Sequence, residues 1–120
     1  MRTCEKSVSI NPYFKISDEN MPATKAMLKV FCDLVKKEEG CLYYNFTFKG
    51  NVMTCREAYA DADAVLAHLA NCGEALGQFV KIAELFRIEV LGPAEELDKL
   101  RAPLAGMNPD YYVLDCGIGK

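Results

Sequence analysis

The 120-residue chain carries a single histidine, His68. An imidazole titrates near neutrality, which makes His68 the natural proton acceptor of this sequence. Val65, Leu66 and Leu69 recur around it at helical spacing, and a histidine beside such a stripe also suits a hydrogen-bonded packing role. Cys72 follows four residues on, so thiol and imidazole share one helix face. Two ligands do not make a closed zinc site, which takes about four, and no second pair has matching spacing; no metal is expected. Glu57 and Arg87 are charged residues inside otherwise apolar strands and must face solvent or be paired. As a neighbouring-strand pair they would be structural. Tyr43, Tyr44 and Tyr59 add hydroxyls, although aromatic residues on strands serve core and interface far more often than chemistry. A Cys–His nucleophile through Cys55 or Cys72 is formally open, but no spacing selects it.

These residues fall on elements that periodicity defines. Val8, Ile10, Phe14 and Ile16 alternate, predicting a half-buried strand around residues 6–16. Pro12 lacks a ladder donor and favours a sheet edge or a bulge there. Pro22 suits the first turn of a helix whose apolar face is Met27, Leu28, Phe31, Leu34 and Val35, ending near Gly40. Residues 41–48 alternate again, with Leu42, Tyr44, Phe46 and Phe48 on one face. Lys49-Gly50-Asn51 is hairpin-turn chemistry, so residues 52–59 return antiparallel. Asp61 or Asp63 caps a second helix, carrying His68 and interrupted at Asn71 to Gly73. Residues 82–91 form a strand with Ile88 and Val90 on one face and Arg87 and Glu89 on the other. A short helix at 93–100, a Pro/Gly-bearing loop and a strand at 111–116 follow.

Strand, helix, strand, strand, helix, strand is the ferredoxin-like α+β pattern, with helices covering one face of an antiparallel sheet. The chain reads as one domain, with its core at about 6–92 and an extension at about 93–117. The strands are rich in apolar residues on both faces, so the uncovered face calls for a partner. A homodimer through the sheet faces would bury it, and the last strand could add to the partner's sheet edge.

Composition narrows the classes further. With 51% hydrophobic and 26% charged residues, the chain can bury a core without a staple. A net charge of −3 and no basic cluster argue against nucleic acid. Lys36-Lys37 is followed at once by Glu38-Glu39 and reads as a solvated helix end. No run is long enough to span a membrane, and residues 1–9 lack a signal-peptide core, so a cytoplasmic location is expected. Cys4, Cys32, Cys41, Cys55, Cys72 and Cys116 stand singly without a CxxC pair, which favours reduced, mostly buried thiols. Dinucleotide, P-loop and nucleophile-elbow motifs are absent from the sequence.

The stretch from Glu38 to Asn71, EEGCLYYNFTFKGNVMTCREAYADADAVLAHLAN, resembles the antibiotic-biosynthesis monooxygenase family. The residues that carry the likeness are Gly40-Cys41, Tyr44, Glu57 with Tyr59, Asp61 to Ala64, and His68. The resemblance implies a dimeric α/β barrel of ferredoxin-like protomers, with a pocket between the helices and the concave sheet face. It also implies oxygenation of quinols or polycyclic phenols without a cofactor, in which the substrate itself reduces dioxygen. The protein then supplies an apolar cavity and groups that deprotonate the substrate and stabilise its anion.

On that reading His68 is the proton acceptor for a small aromatic substrate. Tyr44, Glu57, Tyr59, Arg87 and Asn11 are candidate substrate contacts; Glu57 could orient His68, and Arg87 could bind a phenolate. Two other functions fit the same resemblance. One is a noncatalytic ligand-binding or stress-related dimer module. The other is a haem-binding or haem-degrading protein, disfavoured because residues 74–81 offer Gln78 but no histidine, and the chain has no Trp.

Overall fold

The computed structural model describes residues 6–119. Strand β1 (Val8–Lys15) leads to helix α1 (Met21–Val35), then to the hairpin β2 (Cys41–Lys49) and β3 (Val52–Tyr59). Helix α2 (Ala62–Phe79) and strand β4 (Glu84–Gly92) complete a βαββαβ unit. Helix α3 (Ala94–Asp98), a 3-10 turn (Ala105–Met107) and strand β5 (Asp110–Val113) follow. The architecture is the expected ferredoxin-like α+β fold. The sheet order is β2-β3-β1-β4-β5, antiparallel except for β5, which runs parallel to β4. β5 therefore extends its own sheet and forms its edge.

Pro12 does not sit at an edge, because β1 is the middle strand of the five. The β1–β3 pairing has no partner pair at Asn11 or Pro12, and the Thr54 hydroxyl donates to the Pro12 carbonyl at 2.8 Å across this gap. The β1–β4 register then shifts between Tyr13 and Phe14, one residue beyond the proline. That bulge turns Phe86 out beside the Tyr13 ring and keeps Leu85, Ile88 and Val90 on the helix side. A second irregularity between Cys41 and Tyr43 displaces Leu42, which is 47% exposed instead of sharing the inward row of Tyr44 and Phe46.

Helix α1 carries Pro22 in its first turn and ends at Val35, five residues short of Gly40. Residues 36–40 are thereby released to fold back toward α2. Asp61 caps α2 by accepting from the Ala64 N–H at 2.8 Å, and a second α2 donor, the Ala62 N–H, reaches Glu96 of α3 at 2.9 Å. Contrary to the sequence expectation, α2 runs unbroken through Asn71 to Gly73. The Asn71 side chain donates to the Leu34 carbonyl, Cys72 is buried, and Gly73 faces open space, so none of the three strains the helix.

Two apolar clusters lie between helices and sheet. One gathers Val8, Ile10, Tyr59, Val65, Val90 and Leu97; the other gathers Phe14, Phe31, Met53, Cys72 and Phe79. Phe79 meets Phe14 and Phe31 edge-on at 5.1 and 5.5 Å between centroids. Among the described cysteines, Cys55 and Cys72 are buried, Cys32 and Cys41 half-buried and Cys116 exposed, so burial is less general than expected. Cys4 lies outside the described residues. No helix among them is long and apolar enough to cross a membrane.

Candidate functional site

A cleft runs between the inner sheet face and α2. Its floor is set by strand pairing. Tyr44 on β2 opposes Glu57 on β3, which opposes Ile10 on β1; in the next row Phe46, Cys55, Pro12 and Ile88 lie side by side from β2 to β4. His68, Leu69, Cys72, Leu76 and Phe79 of α2 form the roof. The lining is overwhelmingly apolar, with polar groups confined to the β2–β3 end.

Those polar groups converge on His68. Its Nδ1 lies 3.1 and 3.0 Å from the two carboxylate oxygens of Glu38, and its Nε2 lies 3.5 Å from Oε1 of Glu57. Glu57 in turn accepts from the Tyr59 hydroxyl at 2.5 Å. Both carboxylates and the imidazole have side chains less than a tenth exposed. The Tyr44 and Tyr59 rings flank the imidazole at 5.5 and 4.9 Å between centroids. The tautomer that donates Nδ1–H to Glu38 leaves Nε2 as an acceptor facing Glu57.

Burial pushes the Glu57 carboxyl above its usual range, opposed by His68 and by the Tyr59 hydrogen bond. It likewise raises Tyr44 and Tyr59 far above the ordinary phenol range, with the Glu57 carboxylate adding to it, so both hydroxyls stay protonated donors. Cys72 is pushed up to about 12 by burial and by the Glu38 carboxylate.

Glu38, His68 and Cys72 place three potential metal-ligand atoms within 4.8 Å of one another. The third ligand was not expected from the sequence. A thiol held protonated is a poor start for a metal site, because metal must first displace its proton. The cluster is satisfied instead as a hydrogen-bond network, with Asn71 donating to Glu38 at 2.8 Å.

The structure brings Tyr44, Glu57, Tyr59 and His68 together as a group; Tyr59 stands behind Glu57 and does not itself line the cleft. Asn11 and Arg87 are on the opposite sheet face. Asn11 alternates with the pocket-lining Ile10 and Pro12, and the bulge sets Arg87 outward, where Glu89 and the Tyr112 hydroxyl hold it at 2.7 and 3.2 Å. Arg87 therefore cannot pair with Glu57, since β1 separates β3 from β4. Glu38 is the residue sequence reasoning missed. It belonged to a charged run that looked like a solvated helix end, and no periodicity distinguishes it from Glu39.

Gly40 explains part of the family-like pattern physically. A Cβ there would come within 2.5 Å of the Ala64 Cβ, so glycine lets the start of β2 seat directly against α2. Asp61, Ala64 and Gly40 together fix the helix that presents His68.

A βαββαβ sheet with both long helices on one face and a buried histidine in the intervening cleft defines an α+β protein of the ferredoxin-like class, a fold shared with candidate antibiotic biosynthesis monooxygenases. A candidate antibiotic biosynthesis monooxygenase from Caulobacter crescentus CB15 superposes with a TM-score of 0.67 at 20% identity, over 76% of this chain and 92% of its own. Rv0793 from Mycobacterium tuberculosis does so with a TM-score of 0.66 at 20% identity, over 72% and 94%. At much higher similarity, MupZ from Pseudomonas fluorescens is 43% identical over 96% of this chain and 95% of its own, with a TM-score of 0.92. The chain belongs to the same family as MupZ. No protein-family model matches the chain, and no curated protein matches it. The two distant matches cover at most about three-quarters of the chain, whereas the MupZ match covers 96% and so takes in residues beyond Gly92 as well.

Proposed function

We propose that the protein is an acid–base enzyme for a small, mainly apolar molecule bound under α2, with His68 as the base. The observation that carries this is the fixed imidazole, with Glu38 on Nδ1 and Nε2 beside Glu57 in an apolar cleft. Proton transfer by a positioned side chain is worth about 10²–10⁴ in rate. Tyr44 and Glu57 are the substrate contacts at this end, and Tyr59 positions Glu57.

In its oxygenase form, the substrate is a quinol or polycyclic phenol. His68 takes a phenolic proton, and the anion reduces dioxygen directly. One oxygen atom enters the substrate and the other leaves as water, with all electrons supplied by the substrate, so no cofactor takes part. The fold shared with antibiotic-biosynthesis-monooxygenase-type proteins supports this form.

Glu57 favours a second, redox-neutral form. A carboxyl whose proton affinity is raised by burial, 3.5 Å from an imidazole nitrogen, gives one site with groups for both donating and accepting a proton. Such a pair suits isomerisation, ring opening or ring closure without oxygen.

Oxygen uptake with a panel of hydroquinones and anthrone-type phenols, comparing wild type with His68→Ala, separates these forms. Uptake that drops about 10²–10⁴-fold in the variant supports the oxygenase. Uptake that is equal in both proteins removes the base from His68. No uptake with any compound removes the oxygenase form and leaves the redox-neutral one, or a binding module, in place.

The outer sheet face supports a homodimer. Tyr13, Tyr43, Phe86, Leu91 and Tyr112 are arrayed there among Arg56, Arg87 and Glu89, a mixed surface on which a second copy can meet like with complementary charge. Sedimentation at micromolar concentration should give twice the chain mass, and Leu91→Lys should halve it.

A further inference from the structure

The cleft is long in one direction. Phe46, Cys55, Pro12 and Ile88 cross from β2 to β4, three strand spacings or roughly 14 Å. Its polar groups all sit at the β2–β3 end, on Glu57, Tyr44 and His68. Leu104 and Met107, which come from the segment beyond Gly92, line the cleft with Leu85 and Ile88 of β4.

That segment is held firmly. Leu97, Leu100 and Leu104 are at most 1% exposed, the Leu104 N–H bonds the Leu100 carbonyl, and the Tyr111 hydroxyl bonds the same carbonyl. Asn108 turns the chain out of the 3-10 turn in a left-handed conformation, φ 49°, and starts the path into β5. Beyond Met107 lies an outer groove lined by Arg87, Asn108 and Asp110, which shares Leu85, Ile88 and Met107 with the cleft. The Met107 side chain is thus a partition between two concavities. Half-buried and unbranched, it can be shortened with little loss of core.

We propose that Leu104 and Met107 are specificity-determining residues that set the length of the molecule bound. They act as the stop for an unbranched apolar tail whose polar, reacting head lies at His68 and Glu57. The preferred ligand is an elongated amphiphile, with an apolar body of roughly 10 Å, two strand spacings, between head and stop. The assignment of the head rests on the acid–base reading of His68; the assignment of the stop does not.

The test uses 4-alkylphenols from ethyl to dodecyl as probes, with binding measured by titration calorimetry. For the wild type, affinity should climb with tail length, pass through an optimum and fall. Met107→Ala should move the optimum to longer tails and bind the longest probe at least about tenfold tighter than wild type does, since each buried methylene contributes roughly 0.8 kcal/mol. Met107→Phe should move the optimum the other way, which keeps the test independent of any cavity the alanine creates.

An identical optimum in all three proteins, a uniform loss at every length, or no wild-type binding of any probe overturns the proposal. His68→Ala separates the two readings. A loss at every length with an unmoved optimum supports both. No effect at any length, with the Met107 shifts intact, leaves the stop standing and removes the head from His68.

Discussion

Both carboxylate oxygens of Glu38 lie within hydrogen-bonding distance of His68 Nδ1, at 3.1 and 3.0 Å, although 30 residues separate the two in sequence. The pairing depends on α1 ending at Val35, because only a released chain from Lys36 to Gly40 can fold back over α2. Glu38 also takes the Asn71 amide, so one carboxylate ties the end of the first helix to two residues of the second.

Glu38→Ala should therefore cost about 1–3 kcal/mol, the penalty for leaving the buried His68 imidazole without its carboxylate partner. Urea unfolding followed by circular dichroism measures it. Glu38→Gln, which keeps an acceptor oxygen, should cost less. A midpoint unchanged in Glu38→Ala would show that the network contributes nothing to stability.

Glu57 predicts a pH signature. Its carboxyl is raised above the usual 4.5 by burial, so the folded protein retains a proton that the unfolded chain loses. The stability this gives is fully present below pH 4.5 and is lost as pH rises through the folded value, with a slope of at most about 1.4 kcal/mol per pH unit. Glu57→Gln removes the titration. The stability difference between variant and wild type should grow in the variant's favour above pH 4.5, and parallel pH profiles would refute the assignment.

Gly40→Ala should destabilise by about 1–3 kcal/mol through overpacking. The new methyl would meet Ala64 at 2.5 Å, and both positions are held, Gly40 by accepting from the Ala60 N–H and Ala64 by the Asp61 cap. The double variant Gly40→Ala, Ala64→Gly should recover most of the loss. Thermal melting of the two single variants and the double one measures the coupling.

Thiol labelling should follow burial. In a Cys4→Ser background, Ellman's reagent at pH 8 should consume Cys116 first, because it is exposed. Cys72, pushed up to about 12, and buried Cys55 should react only on unfolding. Prompt loss of all thiols in the native protein would contradict the packing of α2 on the sheet.

Much of the fold could be read from residues in order. Alternation in β2 and β3, the Gly50-Asn51 turn, Pro22 in the first turn of α1 and the Asp61 cap are local effects, each fixed within a few residues. His68 and Glu57 could be singled out as polar or charged types within apolar patterns, whereas Tyr44 and Tyr59 became candidates through the family resemblance. By itself the sequence determined these elements, the helix-on-sheet layering and the family-like motif.

Partnership was decided elsewhere. The bulge at Tyr13 and Phe14 sent Arg87 and Phe86 outward, and strand order put β1 between Glu57 and any residue of β4. Where α1 stops brought Glu38 onto His68, and the chain beyond Gly92 returned to wall the cleft with Leu104 and Met107. Register shifts and long-range closures of this kind leave no period in the sequence. They follow from the balance of packing over the whole sheet, so which charged residue faces the histidine and which faces solvent is settled only by the tertiary structure.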